Sequence, residues 1–367
     1  MKKIHILIIS LTLILIIIGG CTTTGKITQK QTQDIKTIKI GFIGPLTGEA
    51  ASWGENSLAG AQLAIKEFNT NSKRYKIKLI IEESECKAKT AVSAFNKLVN
   101  IDKVDAIIGP LCSGAASATT DLAKNYKIPN IHIIASVPGL AEKSKYVFKV
   151  YPTDELQGSF TANYVYKNLN KKKIAIIYVN NEVGEQINKH FQEKFKELGG
   201  EIVFKTGVMQ EQIDFKTEIT KIKNTKADAI YLAVYPNNAL VILKQMKELN
   251  LNIPKIGTDS LSGDEVISNE YAKGLSYVVP ETSLSENFKE KLHQLPGYEN
   301  LAITIASPYG YDAMKIIINA VTKVGTDKEK IIEELTKTKY IGVSNPLIEF
   351  NKFGGLKTAR YEVKTVT

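Results

Sequence analysis

Residues 38–69 read IKIGFIGPLTGEAASWGENSLAGAQLAIKEFN, and this stretch decides the fold. It opens with an apolar, β-branched run at Ile38–Phe42, passes through a loop with several glycines, and closes on Ser57–Asn69, where apolar residues recur at helical spacing. A strand followed by a loop and an amphipathic helix is the unit from which parallel sheets are built, because parallel strands need a crossover connection. The stretch therefore predicts an α/β fold with a parallel sheet.

The same unit recurs along the chain. In the first half the further predicted strands and helices are Lys76–Glu82, Ala88–Asn100, Ala106–Ile108, Gly114–Tyr126 and Ile131–Ile134. The alternation restarts after Tyr151, with strands at Ile174–Val179, Ile202–Thr206, Ala229–Val234 and Lys255–Gly257 and helices at Val183–Leu198, Phe215–Asn224 and Asn238–Leu249. Two parallel sheets, each with helices on both faces, follow from this order.

The order of elements changes beyond Pro280. Three predicted helices (Ser285–Leu295, Pro308–Lys323 and Lys328–Thr336) precede two predicted strands (Leu347–Phe350 and Tyr361–Val366). Helices followed by strands indicate that the chain crosses back between the two sheets. We predict two doubly wound parallel-sheet lobes joined by a hinge. The first comprises residues 38–153 plus about 283–340, and the second comprises residues 154–282 plus about 341–367.

The N-terminal segment has the pattern of a secretory signal. Two lysines at positions 2 and 3 precede an apolar run that is shorter than the roughly 20 residues needed to span a bilayer. It ends in Ile18-Gly19-Gly20-Cys21, which resembles the lipobox of bacterial and archaeal lipoproteins. The resemblance implies that residues 1–20 are a signal peptide and that Cys21 becomes the lipidated N-terminus. Residues 21–37 then form a flexible tether. The alternative is an uncleaved membrane anchor.

The net charge of +10 comes almost entirely from lysine, since Arg74 and Arg360 are the only arginines. The lysines are scattered, without the arginine clusters and interleaved aromatic residues that read bases. We therefore expect no nucleic-acid partner. The charge is typical of a solvated surface, and an anionic membrane nearby would favour it.

Cys86 and Cys112 remain once Cys21 is assigned to lipid. An even pair of cysteines in a chain bound for an oxidising exterior favours a disulfide. In the chain-entropy account such a bond contributes roughly 3–4 kcal/mol. Two free buried thiols are the alternative.

The sequence carries no pattern for catalysis or for a cofactor. The stretch GPLCSG at 109–114 has cysteine where the nucleophile elbow of a hydrolase has serine, and the four histidines lack partners at metal-ligand spacing. No phosphate loop of the G-x-x-x-x-G-K-[ST] type is present, and the glycines at 41, 44 and 48 miss the dinucleotide spacing. We expect no catalytic residue, metal or cofactor, and a binding protein rather than an exported enzyme.

Ligands of open α/β sheets bind beyond the carboxyl ends of the strands. The predicted loops at those ends carry Trp53, Ser113, Ser136, Val183-Gly184-Glu185, Tyr235-Pro236 and Thr258-Asp259-Ser260. Each has a structural alternative: Ser113 as a helix cap, Trp53 as a cover of the core, and Asp259 as a second cap. Taken together, hydroxyl groups for a carboxylate, a carboxylate for an ammonium, and aromatic walls suit a free amino acid.

Four stretches resemble the leucine/isoleucine/valine-binding protein family. They are residues 38–69, ESECKAK around Cys86, IGPLCSG around Cys112, and GTDS at 257–260. The similarity runs from about Ile38 almost to the C-terminus. It implies a type I periplasmic binding protein, of the Venus-flytrap kind, that serves an ABC importer.

The resemblance also implies roles for single residues. Ser113, directly after the second disulfide cysteine, would bind the ligand carboxylate, assisted by Ser136 with Ala135 beside it. Asp259 would take the ammonium, and Trp53 and Tyr235 would line the pocket. Val183 departs from the family, since many members have tyrosine there, and the departure bears on which side chain is accepted.

These expectations define a lipid-anchored protein on the outer face of the membrane or in the periplasm. It would act as a monomer that delivers a small aliphatic (branched-chain) amino acid to permease subunits. The alternatives are a sensory or receptor-type binding protein and a carrier of amides, urea or another small polar metabolite.

Overall fold

The computed structural model describes residues 35–48 and 50–367. The predicted signal peptide, Cys21 and nearly all of the predicted tether lie outside these residues. The predicted end of the tether at residue 37 is too late, because strand β1 already begins at Lys36, which pairs with Tyr75. Within the described ranges, no helix combines the length and the apolar character that a membrane crossing requires.

The first sheet has the strand order β2-β1-β3-β4-β5, and all its pairs are parallel. Its strands are β1 (Lys36–Gly44), β2 (Tyr75–Glu83), β3 (Ala106–Ile108), β4 (Asn130–His132) and β5 (Val147–Lys149). Strand β1, at the centre of the sheet, is apolar on both faces: its residues Ile38, Ile40, Phe42 and Ile43 are fully buried. Burial on both faces is typical of parallel sheets covered by helices.

The second sheet has the order β13-β10-β9-β8-β6-β7 and is parallel except for β13, which runs antiparallel to β10. Its strands are β6 (Lys173–Val179), β7 (Glu201–Val208), β8 (Ala229–Ala233), β9 (Lys255–Gly257), β10 (Leu275–Pro280) and β13 (Tyr361–Thr365). Alternate residues of β6 enter different cores: Ile174 and Ile176 pack on one face, Ala175 and Ile177 on the other. The remaining strands, β11 (Lys339–Tyr340) and β12 (Ile348–Glu349), form an antiparallel pair.

Helices cover both sheets. They are α1 (Ala51–Asn71), α2 (Ala88–Lys97), α3 (Ser113–Asn125), α4 (Asp154–Asn163), α5 (Glu182–Glu197), α6 (Lys216–Lys223), α7 (Pro236–Glu248), α8 (Asp264–Ile267), α9 (Glu286–His293), α10 (Ala306–Val324) and α11 (Lys328–Thr336). The predicted α/β fold with two parallel sheets is confirmed. The prediction missed helices α4 and α8 and strands β5, β10 and β11. It also started α1 six residues too late, so Trp53 lies in the first helical turn rather than in a loop.

Helices α1 and α10 touch through their backbones. A Cβ atom on Gly60 would lie 2.0 Å from the carbonyl oxygen of Ser307, and one on Gly310 would lie 2.0 Å from that of Ser57. A buried hydrogen bond stabilises the same contact between α1 and α10, since the Ser307 hydroxyl donates to Oδ1 of Asn56 at 2.6 Å. Only glycine allows this separation of the two helices, because any side chain would overlap the facing backbone.

Gly310→Ala is therefore expected to lower the free energy of unfolding by about 2–3 kcal/mol, because the helices must move apart and lose packing. Gly114→Ala on α3 is the matched control, since a Cβ there meets nothing within 4 Å. The control should be neutral or stabilising by up to about 1 kcal/mol. Urea unfolding measures both, and equal midpoints for the two variants would contradict the close contact.

The chain passes between the sheets at three places. After β5 it enters α4, which packs on α5 so closely that a Cβ on Gly158 would lie 2.6 Å from the carbonyl oxygen of Ile187. After β10 it returns to helices α9–α11, and after Leu356 it reaches β13. We call β1–β5 with α1–α3, α9–α11 and the β11–β12 pair the first lobe, and the remaining elements the second lobe.

The third passage differs from the predicted boundary at about residue 341. Ile348, Phe350 and Leu356 belong to the core of the first lobe, and the Phe350 and Phe148 rings lie 5.0 Å apart. The Lys149 amide also donates to the carbonyl oxygen of Gly354 at 2.9 Å. Residues 341–356 therefore pack with the first lobe, because their apolar side chains complete its core, and only β13 joins the second sheet.

Candidate functional site

The candidate binding residues stand at the carboxyl edges of the two sheets, near points where the chain reverses its winding. In the first sheet β1 lies between β2 and β3, and in the second β6 lies between β7 and β8. Crevices at such reversals are the usual ligand sites of open α/β sheets. Ser113 follows β3, whereas Val183 and Tyr235 follow β6 and β8. The reversals therefore coincide with residues singled out from the sequence.

Ser113 is the first residue of α3 and is almost fully buried. Its hydroxyl oxygen accepts hydrogen bonds from the backbone amides of Ser136 at 3.3 Å and Val137 at 3.4 Å. It thus binds the neighbouring loop and does not serve as a cap of its own helix. Because the oxygen is the acceptor in both bonds, the hydroxyl hydrogen remains available to donate to an anion.

The loop after β4 supplies the second part of this arrangement. Ser136 is half-buried beside Ser113, while Ala135 is buried in a small apolar cluster with Ala116, Val137 and Leu140. Ala135 can therefore offer a ligand little beyond its backbone. The disulfide between Cys86 and Cys112 ends one residue before Ser113, with the two Cα atoms 5.3 Å apart. The predicted pairing is present in the structure, and it ties the loop after β2 to the start of α3.

Asp259 opens a short 3₁₀ turn after β9, and its carboxylate accepts a hydrogen bond from the Tyr151 hydroxyl. Tyr151 belongs to the core of the first lobe, where its ring meets that of Tyr309 edge to face at 4.7 Å. Burial raises the pKa of Asp259, whereas hydrogen bonds from Tyr151 and Gln157 act to lower it. Burial and the Asp259 charge raise the pKa of Tyr151, so its phenol stays protonated. This pair joins the two lobes.

Tyr235 and Val183 flank the second reversal. Asn181 caps α5 by accepting from the Gly184 amide at 3.0 Å, and its side-chain NH₂ donates to the Tyr235 hydroxyl at 3.1 Å. Tyr235 is thereby held at the start of α7 with its ring half-buried. Val183 is also half-buried in the first turn of α5. Each side chain has partly exposed apolar surface, and the Tyr235 hydroxyl is held in place by Asn181.

Trp53 is half-buried and packs against the core of the first lobe. This contact agrees with the structural alternative weighed from the sequence, in which the ring covers the core. Trp53 nevertheless lies on the helix that directly follows β1, at the edge that carries Ser113. The role of the ring in ligand binding stays a prediction.

Sequence reasoning missed three polar residues of this region: Tyr151, Asp154 and Asn181. Asn181 could have been found, because asparagine directly before an acidic helical turn is a capping signal. Tyr151 and Asp154 could not have been found, because each belongs to this region only through contacts with residues of other segments. Their neighbours across the structure, Asp259 and Ser136, are 108 and 18 residues away in the chain.

Two lobes built on largely parallel sheets, with polar groups at the carboxyl edges of both, match the class of type I periplasmic binding proteins. The chain belongs to the periplasmic binding protein family, whose sequence profile matches residues 37–362. Members related to this chain are solute-binding proteins and not enzymes. Membership implies an extracytoplasmic protein.

Individual relatives agree with this assignment. The chain is 25% identical over 341 residues to a leucine-, isoleucine-, valine-, threonine- and alanine-binding protein of Pseudomonas aeruginosa, with 89% of each chain covered. It superposes with a TM-score of 0.80 on the branched-chain amino acid transporter substrate binding protein LivJ of Streptococcus pneumoniae, solved in complex with isoleucine. That likeness has 28% identity and covers 90% of this chain and 100% of the other.

Related structures also hold ligands of a different kind. A solute-binding protein of an ABC transporter from R. palustris, in complex with 4-hydroxybenzoate, gives a TM-score of 0.79 at 20% identity, covering 90% of this chain and 93% of that one. At this identity the likeness shows the fold alone. The fold therefore accommodates more than one ligand class, and the ligand must be argued from the site.

Proposed function

We propose that this protein is a lipid-anchored solute-binding protein that captures a small aliphatic amino acid outside the cell and delivers it to the permease of an ABC importer. The lipobox-like sequence around Cys21 supports the anchor, and the relatives support transport. One observation carries the ligand class. A hydroxyl donor, Ser113, lies at the carboxyl edge of one sheet, and a half-buried carboxylate, Asp259, lies at that edge of the other.

A free amino acid matches both groups. Its carboxylate can accept from the Ser113 hydroxyl and from free amide hydrogens in the first turn of α3, where the helix dipole favours an anion. Its ammonium can pair with the negative charge of Asp259, which already accepts a hydrogen bond from Tyr151. A benzoate has no ammonium, so it would bring a second negative charge to the site without a counter-charge for Asp259, and that penalty disfavours it.

The side chain of the ligand would contact apolar surface. Trp53 from the first lobe and Val183 and the Tyr235 ring from the second offer such surface around the polar groups. A pocket of mostly apolar walls with a few fixed polar groups is the usual form of a small-molecule site. The walls therefore favour an aliphatic side chain over a charged one.

Capture would proceed by closure of the two lobes around the ligand. Three chain passages connect the lobes, near residues 150–154, 280–284 and 356–361, and they are the proposed hinge. Hinges of this kind absorb the rotation in a few residues at the ends of elements. The ligand stabilises the closed form because its two charges are paired only when both lobes contact it.

A thermal-shift panel tests the ligand class. It should contain the twenty amino acids, acetamide, urea, benzoate and 4-hydroxybenzoate, each at a concentration far above the expected Kd. We expect leucine, isoleucine or valine to raise Tm, because a ligand at 100 times its Kd adds about 2.7 kcal/mol to the stability of the folded state. A shift with benzoates or amides and with no amino acid would overturn the proposal.

Ser113→Ala is expected to weaken binding of the amino acid found by the panel about 10- to 100-fold, since a hydrogen bond to a charged group contributes about 1.5–3 kcal/mol. Isothermal titration calorimetry measures the change. Ser93→Ala is the matched control, because the Ser93 hydroxyl donates only to the Lys89 carbonyl of its own helix at 3.2 Å. Equal affinities for the two variants would remove Ser113 from the site.

A further inference from the structure

The amino edge of the first sheet carries a group of exposed basic side chains. All strands of this sheet are parallel, so their first residues lie along one edge. The Lys36 amide at the start of β1 donates to the Arg74 carbonyl oxygen before β2 at 3.1 Å. The Asp105 amide before β3 donates to the Lys39 carbonyl oxygen at 2.8 Å. The exposed basic residues at or just before the first four strands are Lys36, Lys73, Arg74, Lys103 and Lys127, which we call the basic face.

The side chains of the basic face have no ion-pair partner among the described residues. Acidic side chains at the same edge are engaged by other groups. The Asp105 carboxylate accepts from the Lys39 amide at 2.9 Å, and the Glu329 carboxylate accepts from the Lys145 ammonium at 2.8 Å. The basic face therefore presents several positive charges to solvent, and such a surface attracts a partner that carries many negative charges.

Two exposed isoleucines accompany these charges. The side chain of Ile35, directly before Lys36, is 49% exposed, and that of Ile101, two residues before Lys103, is 72% exposed. A surface that combines basic residues with exposed apolar ones suits the interface of a membrane, where the charges meet anionic headgroups and the apolar groups enter the acyl boundary. A soluble polyanion would leave both isoleucines in water. The isoleucines therefore favour a lipid surface as the partner.

The amino edge of the second sheet lacks this combination. It also has exposed lysines, such as Lys173 and Lys273. The Lys173 ammonium, however, lies 3.6 Å from the Glu201 carboxylate. None of the large apolar side chains described at this edge is exposed. The basic face of the first lobe is therefore the better candidate for a membrane contact.

The chain enters the first lobe at the basic face. Ile35 lies 14 residues after Cys21, the predicted lipidation site. A chain of 14 residues spans at most about 50 Å when it is fully extended. An anchor at Cys21 would therefore keep the basic face close to the membrane and give it a high effective concentration of headgroups.

The carboxyl edge of the second sheet has charges of the opposite sign. Anionic headgroups attract the basic face and repel this edge, so the two charge distributions favour the same orientation. The exposed acidic residues that follow the strands of the second sheet are Glu182, Glu185, Glu211, Asp214, Asp264 and Glu265.

We propose that the basic face binds the headgroups of anionic phospholipids, with Ile35 and Ile101 at the acyl boundary. The inference goes beyond the proposed function and uses from it only the anchor at Cys21. Each basic residue near an anionic surface raises the binding constant about fivefold. In the bound orientation the candidate ligand residues, at the opposite edge of the sheet, point away from the membrane and toward arriving solute. Delivery to a permease then requires the basic face to leave the lipid surface.

Amine footprinting of the full chain tests the contact. The protein is combined with vesicles of phosphatidylcholine alone or with equal amounts of phosphatidylcholine and phosphatidylglycerol, and mass spectrometry follows the acetylation of each lysine. Protection is the ratio of the two labelling rates. We expect protection of at least about tenfold on the mixed vesicles for Lys36, Lys73, Lys103 and Lys127. Lys205 and Lys216, exposed in the second lobe, should show none. About 1 M NaCl should abolish the protection, because the Debye length then falls to about 3 Å.

Charge reversal tests which residues carry the contact. One variant combines Lys36→Glu, Lys73→Glu, Lys103→Glu and Lys127→Glu, and its readout is Lys124, which is exposed in the last turn of α3 at the same edge. This variant should lose the protection of Lys124. The matched control combines Lys89→Glu, Lys189→Glu, Lys205→Glu and Lys216→Glu, all at exposed positions, and should keep it. If thermal melting shows that a variant is unfolded, the salt-dependent footprint of the unaltered protein decides.

Ile101→Ser tests the apolar part of the contact. It should reduce the protection of Lys124 about fourfold, which corresponds to the burial of one methylene group. Ile213→Ser, at a position that is 78% exposed in the second lobe, is the control and should have no effect. Dextran sulfate that protects the basic face as well as the mixed vesicles do, together with no effect of Ile101→Ser, would show a general polyanion site and overturn the lipid assignment.

The outcomes separate this inference from the proposed function. Equal labelling of the basic face on both kinds of vesicle would overturn the inference and leave amino-acid binding and the anchor intact. A protein that stays unbound with phosphatidylcholine vesicles would overturn the anchor. Protection of the basic face on the mixed vesicles would support the inference in that case too. Equal loss of Lys124 protection in the two charge-reversal variants would show an effect of net charge alone and would also overturn the inference.

Discussion

Asp259→Asn is expected to weaken amino-acid binding more than 100-fold while the protein remains folded. The amide oxygen can still accept from Tyr151, so the contact between the lobes survives the change. The negative charge is lost, however, and the ligand ammonium is then buried against a neutral group. Truncating one partner of a buried charge pair costs about 2–5 kcal/mol, and each 1.4 kcal/mol is a factor of ten in Kd.

Calorimetry at pH 7.5 measures this effect, with Asp264→Asn as the matched control. Asp264 lies five residues further on and is exposed at the start of α8. Its substitution makes the same chemical change away from the site. The control should bind as the unaltered protein does. Asp259→Asn with an affinity within threefold of the control would show that the ammonium is bound elsewhere.

Replacing both disulfide cysteines with serine is expected to lower the free energy of unfolding by about 3.5 kcal/mol. Cys86 and Cys112 are 26 residues apart in sequence. In the chain-entropy account, a cross-link that closes a loop of this length lowers the conformational entropy of the unfolded chain by an amount worth about 3.5 kcal/mol. The loss should also weaken ligand binding, because Ser113 directly follows Cys112. Urea unfolding and calorimetry measure the two effects.

Reductant provides the control for this prediction. Dithiothreitol should destabilise the unaltered protein toward the level of the double-serine variant and should leave that variant unchanged. Mass analysis after thiol alkylation without reductant should find Cys86 and Cys112 unlabelled in the unaltered protein. Labelling of both residues, or equal stability of the two proteins, would contradict a stabilising disulfide.

Patterns local in the chain were sufficient to predict most of the architecture. The strand Ala106–Ile108 and the helix Lys328–Thr336 were predicted with the bounds that the structure has, because β-branched runs and helical apolar spacing are properties of a few consecutive residues. The helix Asp154–Asn163 was missed for the opposite reason. Its sequence DELQGSFTAN has a weak apolar face, and it is helical because Gly158 lets it pack against α5.

The site divides in the same way. Residues at the ends of predicted strands, such as Ser113 and Tyr235, could be singled out because a strand and its following loop are adjacent in sequence. The Ser113 partners could not be predicted, since Ser136 and Val137 meet it only when β3 and β4 lie side by side. The roles of Ser113 and Tyr235 in ligand binding remain predictions, and the Ser113→Ala titration tests the first of them.

The sequence by itself determined the two parallel sheets, the cysteine pair and the residues at the strand ends, because each depends on periodicity or spacing along the chain. Only the tertiary structure decided that residues 341–356 complete the first lobe, that Tyr151 reaches Asp259, and that the Ser113 hydroxyl accepts from the loop after β4. The physical reason is that burial and electrostatic environment depend on distances between segments far apart in the chain, and the folded packing sets those distances.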